Sequence, residues 1–148
     1  MKRIDDFRGE YFFLSNFYMA PVVYEGLHFT NNEAAFQAQK CINPAGRKSF
    51  ESLNPSEAKK KGRHVTLRPD WETVKFDVMK GIVFAKFTQN ADLREKLLAT
   101  GDAYLEEGNT WGDRVWGTVN GAGRNNLGII LMEVRESLRE SAGEAGTI

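Results

Sequence analysis

The chain predicts a mainly helical α+β domain, and three observations carry that prediction. Apolar residues recur at spacings of three and four through most of residues 30–138. Two asparagine–proline pairs, Asn43-Pro44 and Asn54-Pro55, each put a capping amide before a proline suited to the first helical position. Extended patterning is confined to the first 30 residues. With 148 residues and 16.7 kDa, the chain has room for one domain and one core. That domain is expected over residues 1–140, with about six helices and a small N-terminal β element. The small, polar stretch 141–148 is expected to be a flexible tail.

The elements follow in order. Glu10-Tyr11-Phe12-Phe13-Leu14 is aromatic-rich and reads as extended, with Ser15-Asn16 as its break. Val22-Val23-Tyr24 and Leu27-His28-Phe29, joined by Glu25-Gly26, have the form of a hairpin whose glycine takes the positive φ of a tight turn. Thr30-Asn31-Asn32-Glu33 reads as a capping box for a first helix running to about Cys41. Two short helices follow the proline pairs, the second stopped by Gly62. Pro69-Asp70 opens a longer one with Trp71, Val74, Val78, Ile82 and Ala85 on one face. Asn90 caps a helix ending at Gly101, built on Leu93, Leu97 and Leu98, and Ala103-Tyr104-Leu105 reads as a short strand. Leu127, Ile130, Leu131, Val134 and Leu138 form the core face of the last helix.

Composition narrows the function classes. Twenty Lys and Arg balance twenty Asp and Glu, which argues against a protein that coats nucleic acid through counterion release. The single cysteine, Cys41, cannot form an internal disulfide and fits a reducing compartment. His28, His64 and Cys41 are too scattered for a His/Cys metal site. The N-terminal Met1-Lys2-Arg3-Ile4-Asp5-Asp6 meets acid where a signal peptide needs an apolar stretch, and no apolar run approaches the roughly 20 residues of a membrane span. A soluble, cytoplasmic protein is the expectation. Nothing in the sequence calls for a cofactor, and it leaves the oligomeric state open.

Two regions could carry chemistry. Gly108, Gly112, Gly117, Gly121, Gly123 and Gly128 interleave with Trp111, Trp116 and four asparagines, including Asn125. Such a loop either brings backbone amides close to an anion at the mouth of the last helix or packs on its own tryptophans. On the first helix, Gln37 lies about 40° past a full turn from Glu33, and Lys40 closes to within about 20°. Glu33, Gln37 and Lys40 thus form one polar stripe. It is suited to acid/base or nucleophilic work, or is a solvated face whose glutamate belongs to the capping box. Lys59-Lys60-Lys61-Gly62-Arg63 reads as a solvated helix end or a phosphate contact. Trp71 reads as a stacking ring or as core.

These residues also occur in a familiar order. Phe12-Phe13-Leu14-Ser15-Asn16-Phe17-Tyr18 is followed by Glu33-x-x-x-Gln37-Ala38-x-Lys40, then Ala58-x-x-x-Gly62-Arg63 and Arg68-x-Asp70-Trp71. Met79 through Lys86-Phe87 and Leu97-Leu98-Ala99-Thr100-Gly101 come next. Asp113-x-x-Trp116-Gly117, Gly121-x-Gly123-x-Asn125-x-Leu127-Gly128 and Leu131-Met132-x-Val134-Arg135 complete the series. Over residues 7–139 the chain resembles the YbiA-like, or NADAR (NAD- and ADP-ribose-associated), family.

The resemblance implies a compact helical fold and N-glycosidase chemistry. Its substrate would be either a ribosylaminopyrimidine phosphate of riboflavin biosynthesis or ADP-ribose linked to guanine, the latter as a nucleoside or in DNA or RNA. It puts the family's glutamate at Glu33, its lysine at Lys40, its loop acid at Asp113 and its stacking tryptophans at Trp71 and Trp116. It also makes the polar stripe and the glycine loop two walls of one pocket. In that reading Asn16, Phe17 and Gln37 line the pocket. Gly117, Gly123, Asn125 and Gly128 belong to the loop, and Arg63 or Arg124 with the amides of residues 123–128 takes phosphate. Asn31 and Ala34 depart from the family, which often has Ser or Thr and His there. A non-catalytic module that binds ADP-ribose or a nucleotide is the alternative.

Overall fold

The computed structural model describes residues 2–146. Helix predominates, and the fold is α+β. Six α-helices and one 3-10 helix accompany two small two-stranded sheets among the described residues. The chain divides into two compact units, Asn16–Asn90 and Met1–Ser15 with Ala91–Ile148.

The 16–90 unit begins with the predicted hairpin. Strand β2 (Met19–Tyr24) pairs antiparallel with β3 (Leu27–Asn31), and Val22 faces Phe29 in register. Glu25 and Gly26 turn the chain with φ of 51° and 78°, the pair of positive angles that matches the twist of a two-residue hairpin. Helix α1 (Asn32–Ala38) follows at once. It buries Phe36 together with Ala34, Ala35 and Ala38, the alanines being small enough for neighbouring helices to come close. Helix α2 (Pro44–Lys48) and α3 (Pro55–Gly62) start at the two prolines. Asn43 accepts from the Gly46 amide at 2.7 Å, and Asn54 and Glu57 form a reciprocal capping box. Helix α4 (Trp71–Gln89) is the longest of this unit. Its buried face is Trp71, Met79, Ile82, Val83, Lys86 and Phe87. Asn90 ends α4, its amide donating to Lys86 O and Pro21 O, each at 2.9 Å.

In the other unit β1 (Arg3–Ile4) lies parallel to β4 (Tyr104–Leu105). Helix α5 (Ala91–Ala99) buries Leu93 and Leu97, and α6 (Asn126–Gly146) buries Leu127, Ile130, Leu131, Val134 and Leu138, the face the sequence predicted. Buried Arg135 joins α6 to the end of α5, donating to Thr100 Oγ1 and Ala103 O, both at 2.9 Å.

Several expectations are corrected. Gly9–Leu14 is a 3-10 helix instead of an extended segment, because burying Phe13 and Leu14 outweighs the strand preference of an aromatic run. Helix α6 continues through residues 141–146, which the sequence suggested as a tail; residues 147–148 lie outside the described residues. The first helix is capped by Asn31 and not Thr30. Asn31 Oδ1 accepts from Ala34 N at 2.8 Å, while Asn31 Nδ2 donates to Leu53 O and Thr30 Oγ1, each at 3.0 Å. That shift takes Glu33 out of the capping box.

Two predictions follow from this framework. Asn31→Ala is expected to cost about 0.5–2 kcal/mol in urea unfolding, the range for losing a helix cap. Thr30→Ala should cost clearly less, and equal costs would return the cap to Thr30. The second concerns Lys86, whose burial lowers its ammonium pKa from 10.5 to about 7. The unfolded chain then binds more protons than the folded one across that interval, so this group makes stability rise with pH above about 7. Unfolding of the intact chain and of Lys86→Met between pH 7 and 9 tests this, because the variant should lose that rise.

Candidate functional site

In the 16–90 unit, α1 is tied to the segment that follows the 3-10 helix. The Glu33 amide donates to Asn16 O at 3.1 Å, and buried Asn16 in turn sets its side-chain amide 3.5 Å from Met79 Sδ. Phe17, next along, has the Lys59 ammonium 5.8 Å from its ring centre. One turn into α1, Gln37 Nε2 donates to Glu33 Oε2 at 2.7 Å. This makes Glu33 a half-buried carboxylate with a fixed neighbour, on a helix whose cap is Asn31.

Lys40 is not on the helix. α1 ends at Ala38, and residues 39–41 continue in tighter turns, with Gln39 N on Phe36 O and Lys40 N on Gln37 O. The Arg68 amide closes on Lys40 O at 2.9 Å. The side chain is half-buried, and burial is the largest influence on its ammonium, lowering its pKa from 10.5. Glu33 pulls it back up, Arg63 lowers it, Glu72 raises it and Lys75 lowers it. The net direction is down. A carboxylate and an easily neutralised amine within electrostatic reach of each other suit proton transfer or nucleophilic attack.

Trp71 belongs to the core: it is 6% exposed, with its ring centre 5.0 Å from that of Phe36 at a tilt of 54°. Its faces are therefore packed against protein, not open for a base as the family resemblance implied.

In the other unit, the glycine loop braces itself. Asp113 Oδ1 accepts from Val115 N at 3.0 Å and Trp116 N at 2.9 Å, while Asn109 and Asp113 exchange hydrogen bonds through side chain and backbone. Asn125, at φ 54°, accepts from Glu107 N at 2.9 Å and donates to Leu105 O at 2.9 Å. The expected anion cradle is not open. The amides of Arg124, Asn125, Asn126 and Leu127 donate to the carbonyls of Arg114, Gly117, Val115 and Trp116. Close approach is why glycines occur here, but the partner is the chain itself. A Cβ at Gly117 would lie 2.1 Å from Glu107 O, one at Gly123 2.4 Å from Gly117 O, and one at Gly128 2.1 Å from Leu105 O. Nor does the loop pack on both tryptophans, since Trp116 is half-buried and Trp111 is 57% exposed.

Comparison with known proteins adds the family. Residues 5–139 match the NADAR domain. The chain belongs to the NADAR family. It is 42% identical over 128 residues to N-glycosidase YbiA of Shigella flexneri serotype 5b, covering 84% of this chain and 79% of that one. It is 39% identical over 132 residues to N-glycosidase Npun_R5314 of Nostoc punctiforme, covering 84% of each. Riboflavin biosynthesis protein VVA0006 of Vibrio vulnificus is 39% identical over 134 residues, 88% of this chain but 36% of that longer one. The NMR structure of Escherichia coli YbiA superposes with a TM-score of 0.86 at 38% identity, over 97% of this chain and 88% of that one.

Within this NADAR chain, then, the 16–90 unit gathers Asn16, Glu33, Gln37 and Lys40, with Arg63 in electrostatic range of the amine. Asp113, Gly117, Gly123, Asn125 and Gly128 hold the loop's own form. Arg124 is exposed. The surroundings of two residues escaped the sequence reading. Gly62 lies against Gln37, and Asn32 is 1% exposed with no hydrogen-bond partner for its carboxamide. No pattern in the sequence distinguishes Asn32 from its capping neighbour. Among the described residues, no group of three His, Cys, Asp or Glu is placed to hold a metal, and no helix is long and apolar enough to cross a membrane.

The electrostatics can be tested without substrate. An NMR titration of the dimethylated lysines should find the Lys40 amine losing its proton below the ordinary lysine range. Glu33→Gln should lower that pKa further, because it removes the largest charge that favours the ammonium. An unchanged or raised value would separate the two groups.

Proposed function

We propose that this NADAR protein is an N-glycosidase that hydrolyses the C1′–N bond of a ribosylaminopyrimidine phosphate. The observation that carries the reading is the half-buried Glu33 carboxylate, held by Gln37 in electrostatic range of the Lys40 amine. The N-glycosidase names of two relatives and the riboflavin biosynthesis name of a third support the reaction and the substrate class.

Departure of the base leaves positive charge on the ribose ring. A carboxylate near C1′ stabilises that charge, or accepts the proton of the attacking water. Glu33 takes this role. The water oxygen bonds to C1′, the C1′–N bond breaks, and the base leaves with a proton. Lys40 has two routes. As an ammonium it donates to the leaving nitrogen. As a neutral amine it bonds to C1′, the base departs, the ring opens to an imine, and water then returns the lysine and the ribose phosphate. Burial of the ammonium favours the second route.

The test sets a ribosylaminopyrimidine phosphate beside ADP-ribosylated guanosine and follows the release of free base. Turnover of the pyrimidine is the expected result. Turnover of the guanosine alone would move the substrate class, and tight binding without release would make the protein a binding module. Glu33→Gln is expected to lower turnover at least ~10²-fold, with little change in Tm because the amide keeps the carboxylate's shape and the Asn31 cap stays in place. Borohydride added during turnover should attach the sugar covalently to Lys40. Repeated failure of that trap would select direct hydrolysis.

A further inference from the structure

We propose that Gln37 is a positioning residue for Glu33, and that Gly62 on α3 holds it in place. The inference rests on the reading of Glu33 as the reacting carboxylate.

Gln37 is 6% exposed and spends its amide on Glu33 Oε2 at 2.7 Å, one turn back along α1. Its other end, Oε1, is buried and accepts no hydrogen bond. A residue that read substrate through that oxygen would leave it reachable, so the pocket-lining role expected for Gln37 gives way to an internal one. A buried acceptor without a partner costs stability, and side chains kept at such a cost need a reason. The reason here is orientation. With the oxygen turned to α3, the NH2 group points at the carboxylate and limits Glu33 to one arrangement.

Gly62 makes that orientation possible. A Cβ added there would lie 1.9 Å from Gln37 Oε1 and 2.7 Å from Cδ, a clash nothing short of moving the amide would relieve. Glycine at a helix end usually serves a left-handed backbone, but Gly62 is not among the positive-φ residues. It is there for room. From α3, through Gln37, the fold thereby reaches the carboxylate on α1.

The experiment compares five variants, using release of free base from the ribosylaminopyrimidine phosphate or ADP-ribosylated guanosine, whichever the intact chain turns over. Gln37→Met keeps length and packing but removes the donor and the orphaned oxygen. It should lower kcat ~10- to 100-fold, the effect of a small misplacement at a reacting group, and leave KM within about twofold and Tm no lower. Gly62→Ala should lower kcat in the same way. In a Gln37→Ala background, where the amide is gone, Gly62→Ala should add no further loss.

A Gln37→Met protein that keeps its kcat, loses only KM, or loses kcat together with its fold overturns the proposal. So does a full additional loss from Gly62→Ala in the Gln37→Ala background. Glu33→Gln separates this from the underlying reading. If it stays active, the carboxylate assignment itself has failed; if it is inactive while Gln37→Met is fully active, only the positioning role has failed.

Discussion

The start of α1 has to satisfy its open amides inside protein. The first turn of any helix presents backbone N–H groups with no partner within the helix. Here that turn is buried, with Ala34 and Asn31 at 0% exposure, so water cannot serve them. Asn31 takes the amide of Ala34, and the carbonyl of Asn16 takes that of Glu33. Those two bonds fix where α1 begins and which way its first turn faces. With the start fixed, Glu33, Gln37 and the turn that carries Lys40 have determined places. A neighbouring asparagine does the capping, and the carboxylate is held by Gln37 instead.

The other unit uses the same economy in a different form. Asn109, Asp113 and Asn125 act as surrogate backbone groups: the first two close local turns, and Asn125 holds residues 105–107 to the start of α6. Asp113 is thereby a brace, and the amides beside α6 already belong to the loop's own carbonyls. A stretch dense in glycine, asparagine and tryptophan has the composition of a ligand cradle. In this chain much of that composition is consumed in holding the loop to itself.

What the sequence could reveal follows from the range of each signal. Proline after asparagine, glycine after glutamate in a hairpin, and leucine every third or fourth residue are local, so α2, α3, the β2–β3 turn and the face of α6 were legible. The cap of α1 was ambiguous by one residue, because Thr30 and Asn31 both qualify chemically and both side chains reach Leu53 O; only Asn31 Oδ1 on the Ala34 amide decides between them. The stripe Glu33–Gln37–Lys40 was found by helical arithmetic, yet Lys40 lies past the helix. A regular helix would keep the three in line, but tighter turns close the end. The burial of Trp71 and Lys86 and the seat of Gln37 on Gly62 depend on residues distant in sequence. No spacing rule encodes them.

The carbonyl oxygens pressed against Gly117, Gly123 and Gly128 bear on how this region should be studied. Side-chain scanning there would register defects at nearly every glycine, and those defects would map onto the positions a binding loop is expected to show. Intolerance to a methyl group measures how tightly the loop is folded on itself. Sensitivity alone is thus a poor guide to where a small molecule touches this fold, and chemical protection or direct contact mapping is the sounder measure.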